Sequence, residues 1–394
     1  MVWGGSGERK AARLRSVLIG LLTPTPPPTL PELDASDWQE IDRLAALHRL
    51  RPLLHHRQQD NAAIPVAVRA LWREVFRASA FEALQVAGEL ARTTALLQAE
   101  GLQPIALKGA WLAWYAYPLP GLRPMRDIDL WLPAVDVVSA YELLRKHGYR
   151  PDGEQQLSMA DAIVLEKHLP PLQSPQGVTI ELHQRLWEID GRMDHAAPSG
   201  DETAIRNRAI TIGEVTYLDP QDTLAHLIIH AVYDHRLDCG PLLLSDICFL
   251  LDRAAIDWKQ FWQAAESGGW ARGASLVLAI VGEHAPHLRL PAPPADCAPP
   301  VAVAAELMLQ EPGTRQSAGV FATLRSGGLL AFMQRVFARR VRRGGPAVAR
   351  DLQSEGGFAA WAGSRLVRTV RDFSRRQVRQ QARTLASLSR WLDS

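Results

Sequence analysis

Cysteine is scarce in this chain: Cys239, Cys248 and Cys297 are the three such residues in 394 positions. Three thiols form neither an even disulfide set nor a C-x-x-C metal pair, which excludes a disulfide scaffold and a thiolate zinc module. A reducing, cytoplasmic setting is expected. Long hydrophobic runs are missing too, and no stretch reaches the roughly 18 uninterrupted apolar residues that a membrane crossing needs. Residues 16–22 form a short apolar run after a charged segment. Thr23-Pro24-Thr25-Pro26-Pro27-Pro28 stands where a small-residue cleavage site would be, so the run reads as a first amphipathic helix rather than a secretory signal. No internal repeat is present, which removes solenoids and propellers. Net charge is nearly absent at +2, but residues 335–394 hold 14 arginines against 4 acids, a net of +10, so the preceding 334 residues carry −8.

What is present is ordinary globular composition, 47% hydrophobic and 22% charged, in a chain long enough for two or three packed units. Residues 1–100 read as helical. Asp37 and Glu40 are placed for a capped helix start, apolar positions then recur at Ile41, Leu44, Leu47 and Leu50, and a second helical run extends from Leu71 through Phe81 and Leu84 to Leu97. From residue 101 the period shortens. Residues 102–107 form a short buried strand closed by Lys108-Gly109 and a helical stretch over 110–117. Residues 127–132 alternate, with Ile128, Leu130 and Leu132 on one face and Asp127, Asp129 and Trp131 on the other. A helix over 135–147, strands over 163–165 and 178–182 around the turn 174–177, and a hairpin over 209–218 complete a core spanning 101–218. The pattern predicts an α+β fold, a small mixed β-sheet with helices on one side, flanked by N- and C-terminal helical regions. Asp219 and Pro220 open a second helical region over 219–300, and residues 301–394 form a basic helical tail.

Asp127 and Asp129, two apart on a strand, present carboxylates side by side about 7 Å apart. Such a pair suits two divalent ions in phosphoryl or nucleotidyl transfer, yet about four acid-x-acid pairs arise by chance in this composition, so context decides. Upstream, Lys108-Gly109 gives a cation and a backbone that a phosphate can approach. Downstream, Glu181 lies between Ile180 and Leu182, a third carboxylate on a neighbouring strand.

Leu107-Lys108-Gly109, Tyr117-Pro118, Arg126-Asp127-Ile128-Asp129-Leu130 and Glu181-Leu182-His183 together resemble the bacterial family of uncharacterised nucleotidyltransferases, within the polymerase β-like superfamily. The likeness is dense over 102–187 and extends more thinly to 224–251. It implies a transferase that moves a nucleoside monophosphate from a nucleoside triphosphate to an acceptor. Asp127, Asp129 and Glu181 would hold two Mg2+ ions and Lys108 and Gly109 would grip the triphosphate. The wider superfamily places Gly-Ser or Gly-Gly where this chain has Lys108-Gly109, so a side-chain charge replaces a serine hydroxyl.

Arg123 and Arg126 flank the acid pair and suit phosphate geometry, though Arg126 would equally neutralise the aspartates. His183 shares the face of Glu181 and either orients substrate or carboxylate or is a satisfied strand-end histidine, and His168 reaches the same cleft. His226 and His230 are spaced for zinc or for helix packing, with Asp234, His235 or Asp246 as third ligand in the former case. The tail, with Arg339-Arg340-Val341-Arg342-Arg343, either contacts nucleic acid or anionic membrane or docks on the protein. The acceptor stays open among a small molecule, a peptide, a polysaccharide precursor and RNA. The rival readings are a toxin-like transferase that modifies RNA or protein and a non-catalytic nucleotide- or RNA-binding module.

Overall fold

The computed structural model describes residues 6–24, 29–152, 166–187, 200–292, 299–310 and 376–393, with Met159, Ile163, Arg315, Ala318, Gly319, Phe321 and Ala322. Four helices come first: Ser6–Leu22, Ala35–Leu47, Arg51–Gln58 and Val66–Ala99. The second starts one turn earlier than the sequence reading. Asp34, not Asp37, is its N-cap, and Asp37 returns the bond to Asp34 N–H, so an aspartate fills the role that glutamate has in the usual capping box. The 34-residue helix Val66–Ala99 is also turned relative to expectation. Trp72, Ala83, Val86, Leu90 and Leu97 face inward, whereas Phe81 and Leu84 are exposed. Polar contacts decide which stripe is buried. Trp72 Nε1 donates to Asp42 at 2.9 Å, and Tyr149 O–H donates to Glu89 at 2.6 Å and contacts Thr93 at 2.8 Å.

A seven-stranded mixed sheet follows in the order β3-β4-β5-β2-β1-β7-β6. Its strands are β1 (Ile105–Ala106), β2 (Asp127–Trp131), β3 (Arg150–Pro151), β4 (Leu172–Gln173), β5 (Thr179–His183), β6 (Ile210–Ile212) and β7 (Val215–Tyr217). The fold is α+β, as the alternation predicted. At the centre β2 and β5 run parallel in register, Ile128 beside Ile180, Asp129 beside Glu181 and Leu130 beside Leu182. Of the strand expected at 163–165, Ile163 is helical instead, and Val164 and Leu165 lie outside the described residues. Its place beside β5 is taken by β4, which the turn at Ser174–Gly177 folds back. Leu172 of this strand is buried.

Ile128, Leu130, Ile180 and Leu182 enter the main core. Helices cover both sides of the sheet rather than one. On the second face Trp131 packs with Ile105, Leu107, Leu186 and Leu218 beneath Ile205 of the helix Glu202–Arg208, and Arg206 lies 4.2 Å over the Trp131 ring. That helix has 7 residues, about two turns, too brief for periodicity to reveal.

Asp219 caps the helix Pro220–Ile229 as expected, and a π-helical turn, His230–Asp234, extends it. Helices Leu242–Arg253, Trp258–Ser267, Ala271–His284 and Val301–Met308 pack behind it. The last helix, Arg376–Asp393, is docked. Val378, Ala382, Leu385 and Leu388 are buried, Gln380 and Thr384 meet Glu306, and Arg272 sits over Trp391. The run Arg339–Arg343 lies outside the described residues. Among the described residues no helix is long and apolar enough to cross a membrane.

The turn Pro120–Leu122, which delivers Arg123, presses on the helix Val66–Ala99 so closely that a Cβ on Gly121 would lie 2.7 Å from Ala80 Cα. Gly121→Ala must push backbone against backbone, and overpacking of this kind destabilises by about 1–3 kcal/mol. Chemical denaturation should show that loss; an unchanged midpoint would mean the contact is looser than described.

Candidate active site

The parallel register sets the floor of the site. Residues two apart on a strand share a face, so Asp127, Asp129, Glu181 and His183 all project from one side while their apolar neighbours enter the core. His183 Nε2 lies 2.8 Å from Asp129 Oδ1 and 3.5 Å from Glu181 Oε2. His168, bridged to His183 through the backbone, places Nε2 3.9 Å from Glu181 Oε2. Lys108 Nζ approaches Asp129 Oδ2 to 3.3 Å from the other side. To aim there Lys108 adopts φ 43°, a left-handed conformation that strains a residue with a Cβ by about 1–3 kcal/mol.

The helical stretch expected after Gly109 is a single turn, Gly109–Trp111, that runs into a π-helical turn, Leu112–Ala116. Its dipole is correspondingly slight, so positive charge at this wall comes from side-chain cations. Gly109 is required for another reason: a Cβ there would collide with Arg123 Nη1.

Burial raises the Asp129 carboxyl, but Lys108 and the His183 hydrogen bond outweigh it and hold the group well below the usual carboxylate range. Glu181 is also lowered: burial opposes ionisation, while His183 and His168 favour it. Asp127 goes the other way. Burial, with Asp129 and Glu181 beside it, pushes its carboxyl up to about 6.

These groups form the floor of a cavity of about 650 Å³, within the size of small-ligand sites. Lys108, Gly109, Arg123, Arg126, Asp127, Asp129, His168, Glu181 and His183 all line it, so every residue assigned to the site from sequence faces one space. Their surroundings differ. Arg126 is exposed at the rim. Arg123 is partly buried, and its Nε and Nη2 donate to Asp246 at 2.7 and 2.9 Å. A further cation, Arg49, enters from the loop between the second and third helices, and sequence reasoning missed it because a lone arginine after a helix carries no signal. Lys167 pairs with Asp234 at 2.6 Å on the far wall, where His230 Nδ1 contacts the same carboxylate at 3.2 Å.

The spacing of His226 and His230 does not gather a metal set. Their rings stand 6.2 Å apart, Asp234 is held by Lys167, and Asp246 is held by Arg123. Among the described residues the group close enough to share an ion is Asp129, Glu181 and His183. Asp127 stands outside that group but lines the same floor. Carboxylate oxygens crowded on one buried face fit a hard divalent cation, and the imidazole nitrogen extends the choice toward transition ions.

A family model described as an uncharacterised nucleotidyltransferase matches residues 34–286, more than half of the chain. The chain belongs to this family. No curated protein and no solved structure gives a match. The family span runs from the Asp34 cap to the end of the helix Ala271–His284 and includes the carboxylate floor, Arg49, Arg123 and Asp246. Membership makes the chain a transferase of the nucleotidyl class, and the Asp129–Glu181–His183 group is compatible with metal binding.

The raised Asp127 carboxyl has a consequence for stability. A pKa of about 6 in the fold, against an ordinary 3.8, means the protonated form is favoured. Its contribution is complete below the lower value and is lost as pH rises through the higher one. In chelator-containing buffer Asp127→Asn should therefore melt with wild type at about pH 4 and above it at about pH 8. A mutant no more stable than wild type at the higher pH would remove the like-charge account.

Proposed function

We propose that this protein transfers a nucleoside monophosphate from a nucleoside triphosphate to an acceptor, with Asp127, Asp129 and Glu181 as the catalytic carboxylates and divalent ions, magnesium by preference, as cofactor. One observation carries the reading: Asp129 and Glu181 oppose each other across an in-register strand pair, with Lys108 Nζ 3.3 Å from Asp129. A module that only bound nucleotide would have no use for acids packed together beneath a cationic wall, because they repel phosphate.

The donor set fits the ions by its hardness, and Asp127, Asp129 and Glu181 would hold them. When bound, they supply charge neutralisation and Lewis acidity at the α-phosphate. The chain does the rest. An acceptor oxygen or nitrogen attacks the α-phosphorus, the bond to the bridging oxygen of the leaving pyrophosphate breaks, and the proton of the attacking group passes to Glu181. His183, 1% exposed, fixes Asp129 through its Nε2 and keeps the two acids in one orientation. Lys108, Arg123 and Arg126 steady the phosphates, and His168 and His183 border the space left for substrate.

Incubation with each α-labelled triphosphate, magnesium and cell extract tests this reading. Label should reach an acceptor with wild type and fall by about a thousandfold with Asp129→Asn, as removal of a transition-state contact predicts. Transfer that survives the substitution would take Asp129 out of the mechanism. The chemical nature of the labelled product, RNA, protein or small molecule, identifies the acceptor.

A further inference from the structure

We propose that Arg49 and Arg123 form a two-armed clamp for the phosphates of the nucleoside triphosphate, and that Asp246 is the positioning residue that fixes one arm. The inference rests on the nucleotidyl-transfer reading and assigns roles to two residues, Arg49 and Asp246, that lie outside the strand motifs.

Geometry supports each arm. Two nitrogens of the Arg123 guanidinium, Nε and Nη2, are taken by Asp246 in a bidentate pair. Tyr117 O–H donates to the same Asp246 oxygen at 2.7 Å, and its ring packs 4.4 Å from Phe249, so the carboxylate cannot rotate away. The third nitrogen, Nη1, lies over Gly109, where the missing Cβ leaves it room at the cavity wall. A guanidinium held by its fork presents its remaining N–H groups in a fixed direction, which is what an anion subsite requires.

The second arm comes from the N-terminal helices. Arg49 stands at φ 58° between two helices, and its Nη1 reaches Pro124 O at 3.3 Å, next to Arg123 in the chain. Among the described residues no carboxylate lies within ion-pair distance of it. Burial, with Arg126 and Arg123 nearby, lowers the Arg49 guanidinium to about 10 despite the opposing pull of Asp127 and Asp246. Like charges packed at one wall of a cavity are relieved by an anion, and Asp129 and Glu181 opposite would hold the divalent ions that draw in its reacting end. The cationic wall and the acidic floor are therefore complementary halves of one polyphosphate site.

The test uses the full chain and inorganic tripolyphosphate with magnesium, read by calorimetry, so it needs neither the acceptor nor catalysis. Arg49→Gln should weaken binding about tenfold, as loss of a charge-assisted contact does. Asp246→Asn should weaken it about fivefold in wild type and leave it unchanged in an Arg123→Gln background, because a positioning residue acts only through the group it positions. If Asp246→Asn does not fold, Tyr117→Phe, which removes one bond from the same carboxylate, enters the same cycle with a loss of about twofold. Wild-type affinity in Arg49→Gln overturns the clamp, as does a loss at Asp246 or Tyr117 that persists without Arg123, or a wild type that binds no tripolyphosphate. Label transfer is judged separately: transfer intact in Asp129→Asn overturns the reaction and leaves the clamp standing.

Discussion

The structure depends on one strand pairing. β2 and β5 lie parallel with Asp129 against Glu181, and Ile128, Leu130, Ile180 and Leu182 enter the core on the opposite face. A slip of one residue would bury the acids and expose the aliphatic side chains, so the hydrophobic core fixes the register. The acids are thus held together by residues that never touch the cavity. Two buried carboxylates side by side would be untenable alone. Lys108 on one side and His183 on the other make the arrangement stable, and the left-handed backbone at Lys108 is the strain that results.

That division of labour explains what the sequence could reveal. Strand β2 was legible because its alternation has period two and separates Asp127 and Asp129 from Ile128 and Leu130. The Asp219–Pro220 helix start was legible because capping and the missing proline N–H are local effects. Glu181 was recognisable as a strand residue, but its position opposite Asp129 is a long-range pairing that no local pattern encodes. The misplacements have the same origin. Ile163 has the composition of a strand yet Leu172 lies in the strand beside β5, and the apolar residues Phe81 and Leu84 suggested a buried stripe that Trp72, Tyr149 and Glu89 turn to a neighbouring face. Asp246 was noticed only as a metal-ligand option. Its real partner, Arg123, lies 123 positions away.

The site also draws on three parts of the chain, each with a different kind of fixation. The carboxylates stand on central strands, the stiffest elements available. Lys108 and Arg123 stand on turns, made precise by Gly109 and Gly121, whose lost Cβ atoms allow contact that any other residue would block. Arg49 stands on an interhelical loop and is steadied by one backbone carbonyl. The anchoring thus changes from strand pairing at the floor to turns and a single backbone bond at the wall, an order that fits the proposed division between reacting groups and phosphate contacts.

Beyond residue 286 the chain leaves the family-matched span but not the cavity. Gln310 lines it, and Arg315 donates to Gln310 Oε1 at 2.8 Å, to His235 O at 3.1 Å and to Arg236 O at 2.5 Å. Arg236 and Leu237 hold left-handed φ values of 47° and 67°, so the loop these bonds secure is strained and would relax without them. The backbone at His235 and Arg236, on the wall far from the cationic arm, is therefore held from a residue outside the matched span. The far wall is also tied to the carboxylate floor from within the matched span: Lys167 pairs with Asp234, and its carbonyl accepts from Gln184 N–H, next to His183.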